Sequence, residues 1–180
     1  MNQFKIALIA VSLLIFGCGN DSSKYQTGNM YYMATMDDQV AWTENPRNNI
    51  ISIEDAPSGK MVSSISSDSP YSSTFFMKNG AISAKPLSKV VYSAMVKVSG
   101  PDAEPLIVID ILDKDGKSLE WISKGITDVE GSVNKWVKLT AELNLTENNR
   151  NLNENSLKIY VSNGKSRAAL VDDIEIQFFN

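Results

Sequence analysis

From Lys89 to Val98 the chain alternates. Val90, Tyr92, Ala94, Val96 and Val98 fall on one parity, and Val91, Ser93, Met95 and Lys97 on the other. Successive side chains of a strand point to opposite faces, so this period of two predicts a β-strand with one face in a core. The same reading predicts strands over 49–54, 59–66, 72–77, 118–122, 136–143, 157–162 and 171–178. In 59–66, Met61, Ser63 and Ile65 oppose Val62 and Ser64, whereas Leu106–Leu112 is apolar on nearly both faces, as a central strand would be. Turn residues separate these runs: Pro57-Ser58-Gly59, Asn79-Gly80, Asp113-Lys114-Asp115-Gly116, Gly131 and Asn163-Gly164. The Asn-rich run 144–155 reads as a surface loop, and no stretch carries an amphipathic helix capped at both ends. Many short strands within 30–180 predict an all-β fold, a two-sheet antiparallel β-sandwich, rather than a parallel α/β domain.

The segment ahead of this domain carries an address. A polar start with Lys5 leads into the apolar stretch 6–16, and Gly17 precedes Cys18. This predicts a signal peptide over 1–17 whose apolar part is too short to span a bilayer. Leu14-Ile15-Phe16-Gly17-Cys18 resembles the lipobox of bacterial lipoproteins. That resemblance implies that Cys18 is diacylated and becomes the mature N-terminus. A buried core thiol is the other reading of Cys18, disfavoured because the export signal ends just before it. No second cysteine is present for an intrachain disulfide. Acyl chains contribute about 0.8 kcal/mol per buried methylene, so two or three of them hold a protein at a membrane without a spanning helix. Residues 18–29, polar and poor in aliphatic side chains, read as a flexible tether. Asp21 follows the cysteine at the third position, not the second, so no inner-membrane retention signal is evident. The expected location is the bacterial cell envelope, at the outer membrane, with periplasmic or surface-exposed facing left open.

Charge and composition exclude several functions. The chain carries 17 basic and 21 acidic side chains, a formal charge of −4, and so offers no footprint for a phosphate backbone; no nucleic-acid partner is expected. Histidine is absent, so neither a Ser-His-Asp nor a Cys-His catalytic arrangement nor a His-bearing zinc site can be built from this chain alone.

Several segments then occur in a telling order: Met36-Asp37 followed by Trp42, Pro57-Ser58-Gly59-Lys60 leading into a strand, 91–97 beginning Val-Tyr and ending in lysine, Trp136-Val137-Lys138-Leu139, and Ala169-Leu170-Val171-Asp172-Asp173-Ile174-Glu175-Ile176. Together they resemble carbohydrate-binding modules with the galactose-binding-domain-like jelly roll. The resemblance implies a jelly-roll sandwich and places Trp42 and Trp136 in its core. It also implies a structural calcium ion held by an acidic residue near the domain start, by the aspartate of the closing strand and by backbone carbonyls of nearby loops, the acids here being Asp37 and Asp172, with Asp38 and Asp173 in reserve.

Asp172 can also be read from its chemistry. Ile174, Ile176 and Phe178 share a parity, and stepping back by two puts Asp172 on the same inward face. A buried, unpaired carboxylate is costly, so Asp172 must meet a cation, accept backbone hydrogen bonds, or sit just beyond the core. Calcium, which takes six to eight oxygens, and a hydrogen-bonded strand-end carboxylate are both open at this point.

Sugar recognition needs an aromatic platform with polar neighbours. Trp121 shares parity with Leu119 and Ser123 after a hairpin turn, which makes it the candidate platform, flanked by Glu120 and Lys124; Tyr71 in a Ser-rich loop is a further ligand-binding candidate, and Tyr31 and Tyr32 are weaker ones. Glu54, Asp55, Asp110, Glu120 and Asp128 could supply a hydrolase's two carboxylates, but no motif selects a pair. The expected function is a lipid-anchored, non-catalytic cell-envelope binding module for carbohydrate. The alternative is an envelope protein-protein interaction or assembly lipoprotein with the same sandwich and no sugar affinity. The expected partners are therefore a glycan or an envelope protein, with the membrane reached through the lipid anchor.

Overall fold

The structure is a computed structural model. It describes residues 30–38, 43–44, 49–126, 132–146, 154–164 and 168–180. Cys18, Trp42, Asp128 and Gly131, with the proposed signal peptide and tether, lie outside these residues.

Among the described residues eleven strands and one helical turn follow each other: β1 (Met30–Ala34), β2 (Thr43–Glu44), β3 (Ile50–Ser52), β4 (Met61–Ile65), β5 (Thr74–Lys78), α1 (Asn79–Ile82), β6 (Lys89–Val98), β7 (Leu106–Leu112), β8 (Ser118–Gly125), β9 (Val137–Asn144), β10 (Ser156–Ser162) and β11 (Ala169–Phe179). They form two antiparallel sheets. One has the order β3-β4-β11-β6-β9 with β1 also on β11, and the other has the order β2-β5-β10-β7-β8. The fold is thus the two-sheet antiparallel β-sandwich that the alternation implies. The β7–β8 hairpin closes on the Asp113–Gly116 turn: Gly116 donates its N–H to the Asp113 carbonyl at 3.0 Å and takes φ +79, a conformation glycine adopts without steric cost.

One face of each sheet builds the core. β6 turns in Val90, Tyr92, Ala94, Val96 and Val98, opposite Ile107, Ile109 and Ile111 of β7 and Leu157, Ile159 and Val161 of β10, all buried. Phe75 of β5 meets Tyr32 and Phe178 of the other sheet at 6.0 and 5.7 Å between ring centroids, so aromatic contacts tie the layers together. Burying side chains of this size contributes roughly 1.5–3 kcal/mol each relative to exposure.

β11 is the central strand of the larger sheet, and its flank is shared. β6 runs along one side from Ala169 to Phe179. On the other side β4 pairs with 169–171 and β1 with 174–178. The register against β6 shifts between Asp172 and Glu175, and Asp173 there takes φ +46. This β-bulge changes the parity of the strand. Before it Val171 points inward; after it Ile174, Ile176 and Phe178 do. Asp172 pairs with Met95 and is placed by register on the side away from the core, not on the inward face that counting by twos assigns it.

Trp136 is likewise not a core residue. It is half-buried just before β9, and its indole N–H donates to the Asp55 carbonyl at 2.7 Å, pinning the turn after β3.

Candidate functional site

The outer face of the five-stranded sheet is aromatic. Register places Phe76 of β5 opposite Lys158 of β10, Lys158 opposite Asp110 of β7, and Asp110 opposite Trp121 of β8. These four side chains form one row across four strands, on the opposite side from Phe75, Ile109 and Ile159. Strands in a sheet lie about 4.8 Å apart, so the two ends of the row are roughly 14 Å apart. In the next row Tyr160 lies opposite Val108, and Val108 opposite Ser123. Tyr71 bridges to Ser162 one step further along.

Among the described residues the exposed large aromatic side chains gather on this face. Tyr71 is 55% exposed, Trp121 51% and Phe76 41%. Tyr71 packs edge-on against Tyr160, 5.3 Å between centroids, and the Trp121 indole lies beside the Tyr160 hydroxyl. Burial pushes that hydroxyl above the ordinary phenol range, the neighbouring Asp110 and Tyr71 add to the rise, and the Trp121 indole opposes it. Trp121, Tyr160 and Tyr71 thus form one aromatic surface, and Lys158 Nζ stands 5.7 Å from the Tyr160 ring centroid. Asp110, nearly buried, accepts the Ser118 hydroxyl at 2.6 Å on Oδ1. Beyond Phe76 the face ends in a cleft of about 500 Å³ lined by Phe76, Lys78, Ser156, Leu112, Glu154 and the Asp113–Gly116 turn.

Glu120 and Lys124 do not flank Trp121 on this face. They pair with Ile111 and Ile107, which point into the core, so strand alternation turns both to the opposite side of β8. The polar neighbours of the tryptophan are Asp110, Ser123 and the Tyr160 hydroxyl. Phe76, Tyr160, Asp110 and Lys158 were not among the residues that the sequence reading placed at the binding face. Alternation gives the parity of each within its own strand, but their juxtaposition comes from the register between strands.

Three of the four aspartates, Asp37, Asp172 and Asp173, meet the segment 58–61. Asp172 is fully buried; its Oδ1 accepts the Met36 N–H at 3.2 Å, and its Oδ2 accepts the Ser58 N–H at 3.3 Å and hydroxyl at 3.4 Å. Asp173 Oδ1 takes the same hydroxyl at 2.6 Å. Asp37 accepts the N–H groups of Lys60 and Met61 at 3.0 and 3.1 Å. Asp38 turns to Thr35, whose hydroxyl donates to it at 3.5 Å. Asp172 therefore sits at the seam where β4 gives way to β1, and satisfies the backbone that neither strand pairs there. Burial holds its carboxyl above the ordinary carboxylate range, with backbone donors opposing the rise. The arrangement fits a hydrogen-bonded carboxylate clamp. N–H donors and the Ser58 hydroxyl converge on Asp37 and Asp172, and among the described residues no group of three or more His, Cys, Asp or Glu side chains could hold a metal ion.

The carboxylates considered for catalysis are dispersed. Glu54 and Asp55 follow β3 of the larger sheet, where Lys97 pairs with Asp55 and holds its carboxyl below the usual range. Asp110 and Glu120 lie on opposite sides of the smaller sheet. Among the described residues no helix is long and apolar enough to cross a membrane.

No known protein-family model matches the sequence, and no curated protein matches it. Solved structures do. The CBM22-2 xylan-binding domain of Paenibacillus barcinonensis Xyn10C aligns with a TM-score of 0.54 at 13% identity, over 81% of this chain and 97% of that one. The CBM22-1 xylan-binding domain of the same protein aligns at 0.52 and 15%, over 87% and 99%. In a longer Clostridium thermocellum structure of CBM22-1 and GH10 modules with xylohexaose, the likeness spans 26% of that chain at a TM-score of 0.49 and 15% identity. The chain is a β-sandwich of the kind found in carbohydrate-binding modules.

Proposed function

We propose that this protein is a non-catalytic carbohydrate-binding module that grips a poly- or oligosaccharide across the outer face of its five-stranded sheet. The observation that carries the reading is the convergence of Phe76, Trp121, Tyr160 and Tyr71 on that face, with Asp110, Lys158 and Ser123 among them. Sugar C–H faces stack on such rings, and hydroxyls need polar partners beside them. A span of roughly 14 Å between the end rings of the row suits several linked sugar rings better than one. The fold it shares with xylan-binding domains supports the reading, and points to xylan as the first polysaccharide to try.

We further propose that Cys18 is acylated and that the tether presents this module from a bacterial outer membrane. The test of sugar binding is affinity electrophoresis in gels containing xylan and a panel of other polysaccharides. Retardation that disappears in Trp121→Ala, with folding kept, supports the reading. No retardation by any polysaccharide overturns it, and crosslinking to an envelope protein would then favour the assembly role.

A further inference from the structure

The lysines of the two outer faces differ. On the six-stranded sheet Lys89 pairs with Glu142 at 3.7 Å, Lys138 with Glu175 at 2.8 Å, and Lys97 with Asp55. On the aromatic face Lys78, Lys114 and Lys158 have no carboxylate within ion-pair distance among the described residues. Lys78 and Lys114 line the cleft of about 500 Å³ at the Phe76 end. The acids nearby are differently placed. Asp113 Oδ1 accepts the N–H groups of Asp115 and Lys117 at 2.9 and 2.8 Å, and so is committed to its own turn. Asp110 is bound to Ser118 one row away, and Glu154 is exposed on the cleft lining. Lys78 and Lys114 thus line the recess beside two carboxylates, Asp113, whose Oδ1 is held by its own turn, and the exposed Glu154.

We propose that this face selects an acidic glycan. Pyranose rings stack at the Trp121, Tyr160 and Tyr71 end, and a uronate carboxylate lodges between Lys78 and Lys114. A carboxylate is the group that two ammonium donors favour most over a hydroxyl, because charge-assisted hydrogen bonds are roughly twice as strong as neutral ones. The inference rests on the carbohydrate reading above.

The test is calorimetry of the purified protein with oligosaccharides of glucuronoxylan, polygalacturonate and alginate, each native and after reduction of its carboxyl groups to alcohols. At least one native form should bind about tenfold or more tighter than its reduced counterpart. Raised salt should narrow that gap. The double variant Lys78→Met, Lys114→Met should close most of the gap, weakening the native form by about tenfold and the reduced form by far less. Trp121→Ala should weaken both forms. Equal binding of native and reduced forms overturns the acidic-glycan inference and leaves the carbohydrate reading standing. Binding of none of these probes overturns the acidic-glycan inference, and if no polysaccharide of the electrophoresis panel binds either, the carbohydrate reading falls with it.

Discussion

Replacing Asp172 with alanine would remove the acceptor for three donors at the seam between β4 and β1. The Met36 N–H is buried and would have no water to turn to, which costs about 1–3 kcal/mol. The Ser58 N–H is half-buried and partly hydrated, and the Ser58 hydroxyl keeps Asp173 at 2.6 Å. Relief of the carboxylate's own desolvation works in the other direction. The expected net loss is about 2 kcal/mol, or about 4–8 °C in Tm for a domain of this size. Asp172→Asn keeps one acceptor oxygen and should lose less. The sign of the pH dependence follows from the raised pKa. The folded chain binds the Asp172 proton more tightly than the unfolded chain, whose carboxyl titrates near 3.8. This group therefore adds stability as pH falls through the window just above 3.8, and the parent's margin over the non-titrating Asp172→Asn should widen from pH 7 towards pH 4. Urea denaturation across that range measures it. An alanine variant that melts within about 1 °C of the parent would refute the clamp, and a margin that narrows on acidification would refute the burial-raised pKa.

Three further outcomes are expected. Gly59 takes φ +55, and a Cβ there would fall 2.0 Å from Asp37 Oδ2, so Gly59→Ala should cost about 2 kcal/mol through left-handed strain and displacement of Asp37 from Lys60 and Met61; an unchanged thermal melt would count against it. Calcium at Asp37 and Asp172 is tested by comparing melts in millimolar calcium and in chelator. With N–H donors on both carboxylates a shift below about 1 °C is expected, and a rise of several degrees in calcium would establish the ion. Cys18→Ser should abolish palmitate labelling and release the protein from the membrane fraction; a parent chain that takes up no label would remove the anchor.

The alternation of Lys89–Val98 was legible because nothing interrupts it: its strand bounds, its buried parity and its exposed parity all follow from the side chains alone. Trp121 was legible for the same reason, as one residue of an outward parity. Its neighbours in sequence, Glu120 and Lys124, are not its neighbours in space, because the alternation that exposes the tryptophan turns them away. Lateral neighbours depend on register between strands distant in the chain, which no local pattern encodes, so Asp110 and Lys158 stayed hidden. Phe75 and Phe76 are alike in type, and their sequence does not say which faces out. Asp172 was expected to be buried and is, but through a bulge that resets the count and a loop that covers it. Its chemistry, more than its periodicity, was the dependable signal.

The row Phe76–Lys158–Asp110–Trp121 takes one side chain from each of four strands. A guest lying along it would run crosswise to the chain direction and fasten β8, at the sheet's border, to β10 and β5. Occupancy would then act as a brace. Amide protons of β8, which has a neighbouring strand on one side only, should exchange more slowly when the guest is present, and the rim of the sheet would stiffen more than its middle.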